Sequence, residues 1–134
     1  LGRERVITEQ PPPPPTELKL KRGRRELEIS FPDGVAASLS AEYLRVHSPS
    51  AEVTQHGVGE GVLVVGKENV AISHIEPVGR YAVRLMFDDG HNTGLYTWAV
   101  LHDLCKNRER KWRRYLERVA AAGVERRGEA GYES

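Results

Sequence analysis

The sequence is poor in the residues that build covalent or metal staples. Its 134 residues include one cysteine, Cys105, which excludes a disulfide within the chain and any zinc site made of several thiolates. A lone thiol fits a reducing compartment, with the cytoplasm as the expected location. No apolar run approaches the roughly 20 residues needed to span a bilayer. The first residues also lack the charged, apolar and small-residue zones of a secretion signal, so no membrane role is expected. Charge of one sign is missing too. With 20 Lys and Arg against 19 Asp and Glu the net charge is +1, which excludes a whole-molecule field that draws polyanions and leaves any nucleic-acid role to a local patch. Common chemical motifs are absent as well. Gly57, Gly59 and Gly61 have no strand leading in and no helix following, and Lys67 is not followed by Ser or Thr, which argues against a phosphate loop. His47, His56, His74 and His102 show no ligand spacing, and Ser48 and Ser50 have no nucleophile-elbow context.

What is present is a pattern of short strands followed by helices. Residues 1–16 read as a disordered tail, since Pro11 to Pro15 cannot donate backbone hydrogen bonds and favour an extended spacer. From Glu17 to Ser40 the apolar residues alternate: Leu18 and Leu20, then Leu27, Ile29 and Phe31, then Val35, Ala37 and Leu39. Gly23 and the Pro32-Asp33-Gly34 group supply the reversals of an antiparallel meander. Ser40 is the predicted N-cap of a short helix ended by Ser48 and Pro49. A long Gly-rich loop is expected at about 51–67. Val70 and Ile72 open another strand, and Tyr81 to Phe87 form the most apolar one. After Gly94 the spacing turns helical, through Leu95, Trp98, Leu101, Leu104 and Cys105. Asn107 interrupts it, and a second helix carries Trp112, Tyr115, Leu116 and Val119 on one stripe until Gly123 stops it. The expected fold is therefore α+β: a small, mostly antiparallel sheet with a short helix and two C-terminal helices packed on it. Its expected bounds are 17–122, with a flexible tail at 123–134.

Two places carry chemistry worth weighing. Asp88, Asp89 and His91 form a polar corner after the apolar strand. A carboxylate beside an imidazole suits metal binding or acid–base work, but adjacent strand residues point to opposite faces, so Asp88 and Asp89 are not expected to converge on one ion. The bland alternative is a turn made by Asp89 and Gly90 with His91 bonded locally. The second place is the last helix, where Arg108, Arg110, Lys111, Arg113 and Arg114 make a candidate interaction surface. Cys105, on an apolar helical face, reads as a buried small hydrophobe.

Four segments together carry a family resemblance. They are Leu27 to Gly34; Leu44-Arg45 through Ser48-Pro49-Ser50; Ile75 to Gly79 with Tyr81-Ala82-Val83; and Phe87-Asp88-Asp89-Gly90-His91 through Gly94-Leu95-Tyr96-Thr97-Trp98. In these, residues 17–105 resemble the gamma-butyrobetaine hydroxylase-like N-terminal domain family, a family of largely unknown function. In the hydroxylases such a domain precedes an iron and 2-oxoglutarate catalytic domain, for which this length leaves no room, so the resemblance implies kinship without oxygenase activity. It also implies a structural zinc held by three cysteines and a histidine, at positions that fall here on Ser48, Ser50, Val53 and His91. Only the histidine remains. Two hydroxyls and a valine cannot replace three thiolates, so no zinc and no other cofactor is expected.

The resulting expectation is a non-catalytic binding or adaptor domain with a protein partner. Because a similar domain occurs attached to P-loop scaffolds of iron–sulfur cluster assembly, a role accessory to such carriers is the finer reading. The alternative is a small metal-dependent enzyme or metal-binding protein centred on Asp89 and His91. Nucleic-acid binding through the basic helix is a weaker third.

Overall fold

The computed structural model describes residues 12–21, 23–49, 63–92 and 94–126. Ser50, Val53, His56 and the three clustered glycines Gly57, Gly59 and Gly61 lie outside them, as does all of the long loop before residue 63.

The period-two alternation produces β1 (Glu17–Lys21), β2 (Glu26–Ser30) and β3 (Ala36–Ser40), which pair antiparallel in the order β1-β2-β3. Leu18 faces Ile29, Leu20 faces Leu27, and Leu27 in turn faces Leu39. One face of the sheet is therefore continuous hydrocarbon, and Leu27, Ile29 and Leu39 are wholly buried. At the second reversal Gly34 takes a φ of 94°, and Asp33 Oδ1 accepts from the Val35 N–H at 3.0 Å, a local bond that favours Asp in turns.

At the first reversal Arg24 is, among the described residues, the one non-glycine residue with positive φ, at 69°. The left-handed region costs a residue with a Cβ about 1 kcal/mol or more. Two tethers to the next sheet hold it there: Arg24 Nη1 donates to the Ser73 carbonyl at 2.8 Å, and the Arg24 carbonyl accepts from the Ile72 N–H at 2.8 Å.

Ser40 caps α1 (Ala41–Val46), its hydroxyl accepting from the Tyr43 N–H at 2.9 Å. A second antiparallel sheet follows, of β4 (Ile72–Val78), β5 (Ala82–Phe87) and β6 (Gly94–Thr97) in that order. The antiparallel strands are thus divided between two three-stranded sheets. β6 differs from the sequence reading, which runs a helix from Leu95. Residues Gly94 to Thr97 instead pair with β5 from Leu85↔Gly94 to Ala82↔Thr97. The Thr97 side chain then accepts from the Val100 N–H at 3.1 Å and starts α2 (Trp98–Lys106).

α3 (Arg108–Ala121) follows α2 after the single residue Asn107, which is both the C-cap of one and the N-cap of the other. That junction is stapled. Asn107 Nδ2 donates to Asp103 Oδ1 at 2.7 Å, and Lys111 Nζ lies 3.3 Å from Asp103 Oδ2. At the far end Gly123 has a φ of 73°, with Gly123 N–H on the Ala120 carbonyl and Val124 N–H on that of Val119. This pair of bonds is a Schellman stop.

Both sheets and all three helices feed one hydrophobic cluster, with Leu44, Ile72, Leu85, Tyr96 and Leu101 wholly buried. Trp112 is buried in it, which hides roughly 150–250 Å² and contributes at most about 4–6 kcal/mol. Trp98 is only half-buried and sits at the rim, its indole N–H donating to the Arg80 carbonyl at 2.8 Å. Among the described residues no helix is long and apolar enough to cross a membrane.

Candidate functional site

The polar corner lies where the turn after β5 meets the end of α1 and the segment before β4. Its two aspartates point to different jobs. Asp88 Oδ1 accepts from the Ala71 N–H at 3.1 Å and ties the turn to the start of β4. Asp89 Oδ2 takes Arg45 Nε at 2.9 Å and Lys67 Nζ at 2.6 Å, while Oδ1 accepts from the His91 N–H at 3.0 Å. Burial on its own would raise the Asp89 carboxyl. The bonds from Lys67, the His91 N–H and Arg45 outweigh it and hold the pKa at about 2. Asp89 is thus a fixed anion that pins three chain segments.

His91 lies beside Ser48, with Nε2 and Oγ 3.0 Å apart. Ser48 also bonds to the Tyr96 phenol, whose own O–H donates to the Leu44 carbonyl at 2.6 Å. The tautomer of His91 decides whether Nε2 donates to the Ser48 hydroxyl or accepts from it. Burial pushes the Tyr96 phenol above its usual range, with Ser48 opposing. Gly94 lets this packing close: a Cβ there would stand 2.9 Å from the Tyr96 ring and 3.0 Å from Ser48 Oγ.

These residues do not suit the zinc that the resemblance implies. Positions 48, 50 and 53 carry no thiolate, and His91 Nε2 is engaged with the Ser48 hydroxyl at 3.0 Å. Among the described residues no three of His, Cys, Asp and Glu gather into a cation site. Cys105 is buried in α2, and burial pushes its thiol up to about 12. The remaining described histidines are scattered. His47 Nδ1 is 2.9 Å from the Tyr43 carbonyl, and burial, aided by Lys111 and Arg118, pushes its pKa down. His102 Nε2 lies 2.8 Å from Asp33 Oδ2 and clamps the β2–β3 turn to α2.

The candidate basic surface falls on α3, where six cations stand against Glu109 and Glu117. The inner stripe of Trp112, Tyr115 and Val119 is buried, whereas Arg110, Arg113 and Arg114 are exposed. Lys111 is engaged with Asp103, and Arg114 with Glu117 at 3.4 Å. Arg108, Arg110 and Arg113 have no carboxylate partner among the described residues.

The sequence reading did not include Arg45 and Lys67 on Asp89, nor a second buried charge. Glu42 in α1 is 1% exposed and receives both Arg126 Nε at 3.0 Å and Nη2 at 2.6 Å. These residues are 84 apart in sequence, and neither charge carries a local signal of its partner.

The gamma-butyrobetaine hydroxylase-like N-terminal family matches residues 18–102, and the chain belongs to that family. Two solved structures determined by NMR in solution are similar over nearly the full length. One is 51% identical, covers 96% of this chain and 98% of its own, and has a TM-score of 0.76. The other is 39% identical, covers 92% and 97%, and has a TM-score of 0.74. A crystal structure of a protein with unknown function from Acidithiobacillus ferrooxidans is 38% identical, covers 72% of this chain and 97% of its own, and has a TM-score of 0.58. No curated protein matches. α3 lies beyond the residues matched by the family.

Proposed function

We propose that this chain is a non-catalytic binding domain whose partner is an acidic protein surface docked on the outer face of α3. The observation that carries this reading is the state of the helix: its apolar stripe is spent on the core, while Arg110 and Arg113 project outward with no carboxylate to neutralise them among the described residues. Such a row of cations gives steering and orientation more than depth of binding, since exposed pairs are worth roughly 0–1 kcal/mol each. The finer reading is that the acidic partner is a carrier of iron–sulfur clusters, a role supported by the family resemblance.

The polar corner supports a structural role over the enzymatic alternative. Both Asp89 oxygens are occupied, Asp88 serves Ala71, and Ser48 lies between His91 and the Tyr96 phenol. Nucleic acid is the poorer ligand because Trp112 and Tyr115 face inward, leaving no aromatic platform among the described residues on the cationic side for bases to stack on.

Charge reversal tests the reading. Arg110→Glu with Arg113→Glu is expected to weaken binding to a purified acidic cluster-carrier protein by about tenfold or more while leaving the thermal midpoint within a few degrees. Binding that the reversal leaves unchanged, or affinity for DNA that falls steeply with salt and exceeds that for protein, would overturn it.

A further inference from the structure

The Glu42 site has the composition of a receptor for a guanidinium group. Its floor is a carboxylate 1% exposed, delivered by the first turn of α1, with both oxygens aimed at one ligand. Its wall is the face of Trp112, 5.2 Å from the Arg126 guanidinium carbon, and Trp112 is itself stacked on Tyr115 at 5.3 Å and 27°. Glu68, also buried, lies near enough for its charge to act on both Arg126 and Tyr115. A planar cation that pairs with both carboxylate oxygens through two N–H groups while its charge lies over the indole satisfies all of these at once, which the compact point charge of an ammonium does less well. The present ligand arrives on a slender support. Arg126 stands three residues beyond the Schellman stop at Gly123, on a stretch without helix or strand, and the intervening Val124 and Glu125 are exposed.

We infer that the Glu42–Trp112 cleft is an arginine-binding site which Arg126 fills from within the same chain, and which an arginine of a partner peptide occupies when the C-terminal segment is displaced. The cleft is separate from the outer face of α3, so this site stands or falls independently of the acidic partner proposed above. A tethered side chain acts at an effective concentration in the millimolar range, so only a partner that adds contacts of its own displaces it.

The test replaces the internal ligand and supplies an external one. In full-length Arg126→Lys, N-acetyl-arginine amide at about tenfold its dissociation constant is expected to raise the thermal midpoint by roughly 5 °C and to shift the Trp112 indole signal. The lysine amide is expected to do neither. Arg126→Ala gives the same comparison with the cleft vacated, read as stabilisation if it is folded and as ligand-driven folding if it is not. Adding Glu42→Gln to either background should remove the response, and the unaltered chain should not respond at the same concentration. Equal responses to arginine and lysine amides, a response that survives Glu42→Gln, or none in both Arg126 variants would show a closed structural ion pair instead.

Discussion

Asp89→Asn isolates the charge that pins the polar corner. The amide keeps the size of the side chain and its oxygen still accepts from the His91 N–H, but Arg45 and Lys67 lose their shared anion. In the folded protein the Asp89 pKa is about 2, against an ordinary 3.8, and the side chain is 19% exposed. A shift of that size amounts to about 2 kcal/mol of stability. Because the folded pKa is depressed, this stability is complete above pH 4–5 and is lost as pH falls toward 2, with about half gone near pH 3. Asp89→Asn should therefore be less stable than the parent by about 2 kcal/mol at pH 7, or roughly 8 °C in the thermal midpoint. The deficit should shrink by about half at pH 3. Urea unfolding of both proteins at the two pH values measures this directly, and contributions from other titrating groups such as His47 cancel in the difference. A deficit below about 0.5 kcal/mol at pH 7, or one that does not change with pH, would refute the account of Asp89 as a charged clip.

Two further outcomes follow from buried groups. Tyr96→Phe removes the donor to the Leu44 carbonyl and the acceptor for Ser48, so a loss of about 1–3 kcal/mol is expected in denaturant unfolding. Cys105, with its thiol raised to about 12, should resist alkylation at pH 8 in the folded protein and react promptly once unfolded, as followed by mass spectrometry.

The meander was legible because alternation is a dense signal: Leu18, Leu20, Leu27, Ile29 and Leu39 each mark a face, and Gly23 and Asp33-Gly34 mark the reversals. β6 was not, and the reason is local. Its buried positions are Gly94 and Tyr96, one of which has no side chain to register as apolar, and the four residues are too few to outweigh the three-and-four spacing that begins within them. The corner was visible as a polar cluster, but Asp88 and Asp89 lie in the turn after β5 and not in a strand, and their different duties come from the segments each one meets, Ala71 for one and Arg45 with Lys67 for the other. Their partners Arg45 and Lys67 were hidden, as was Glu42 with Arg126, because a salt bridge between distant segments leaves no periodicity. The half-buried Trp98 also shows that residue size alone does not separate a core tryptophan from one at the rim.

The junction at Asn107 bears on how α3 meets anything else. The connection is one residue long and tied by Asp103 on both sides, and the buried stripe of Trp112, Tyr115 and Val119 anchors α3 in the core. The arginines are thus displayed at a fixed tilt to the rest of the molecule, like teeth cut into a rigid bar. The acidic surface proposed above would meet a helix already folded and anchored, so little conformational freedom would be lost on contact. One that does not fit cannot make the helix swing to meet it.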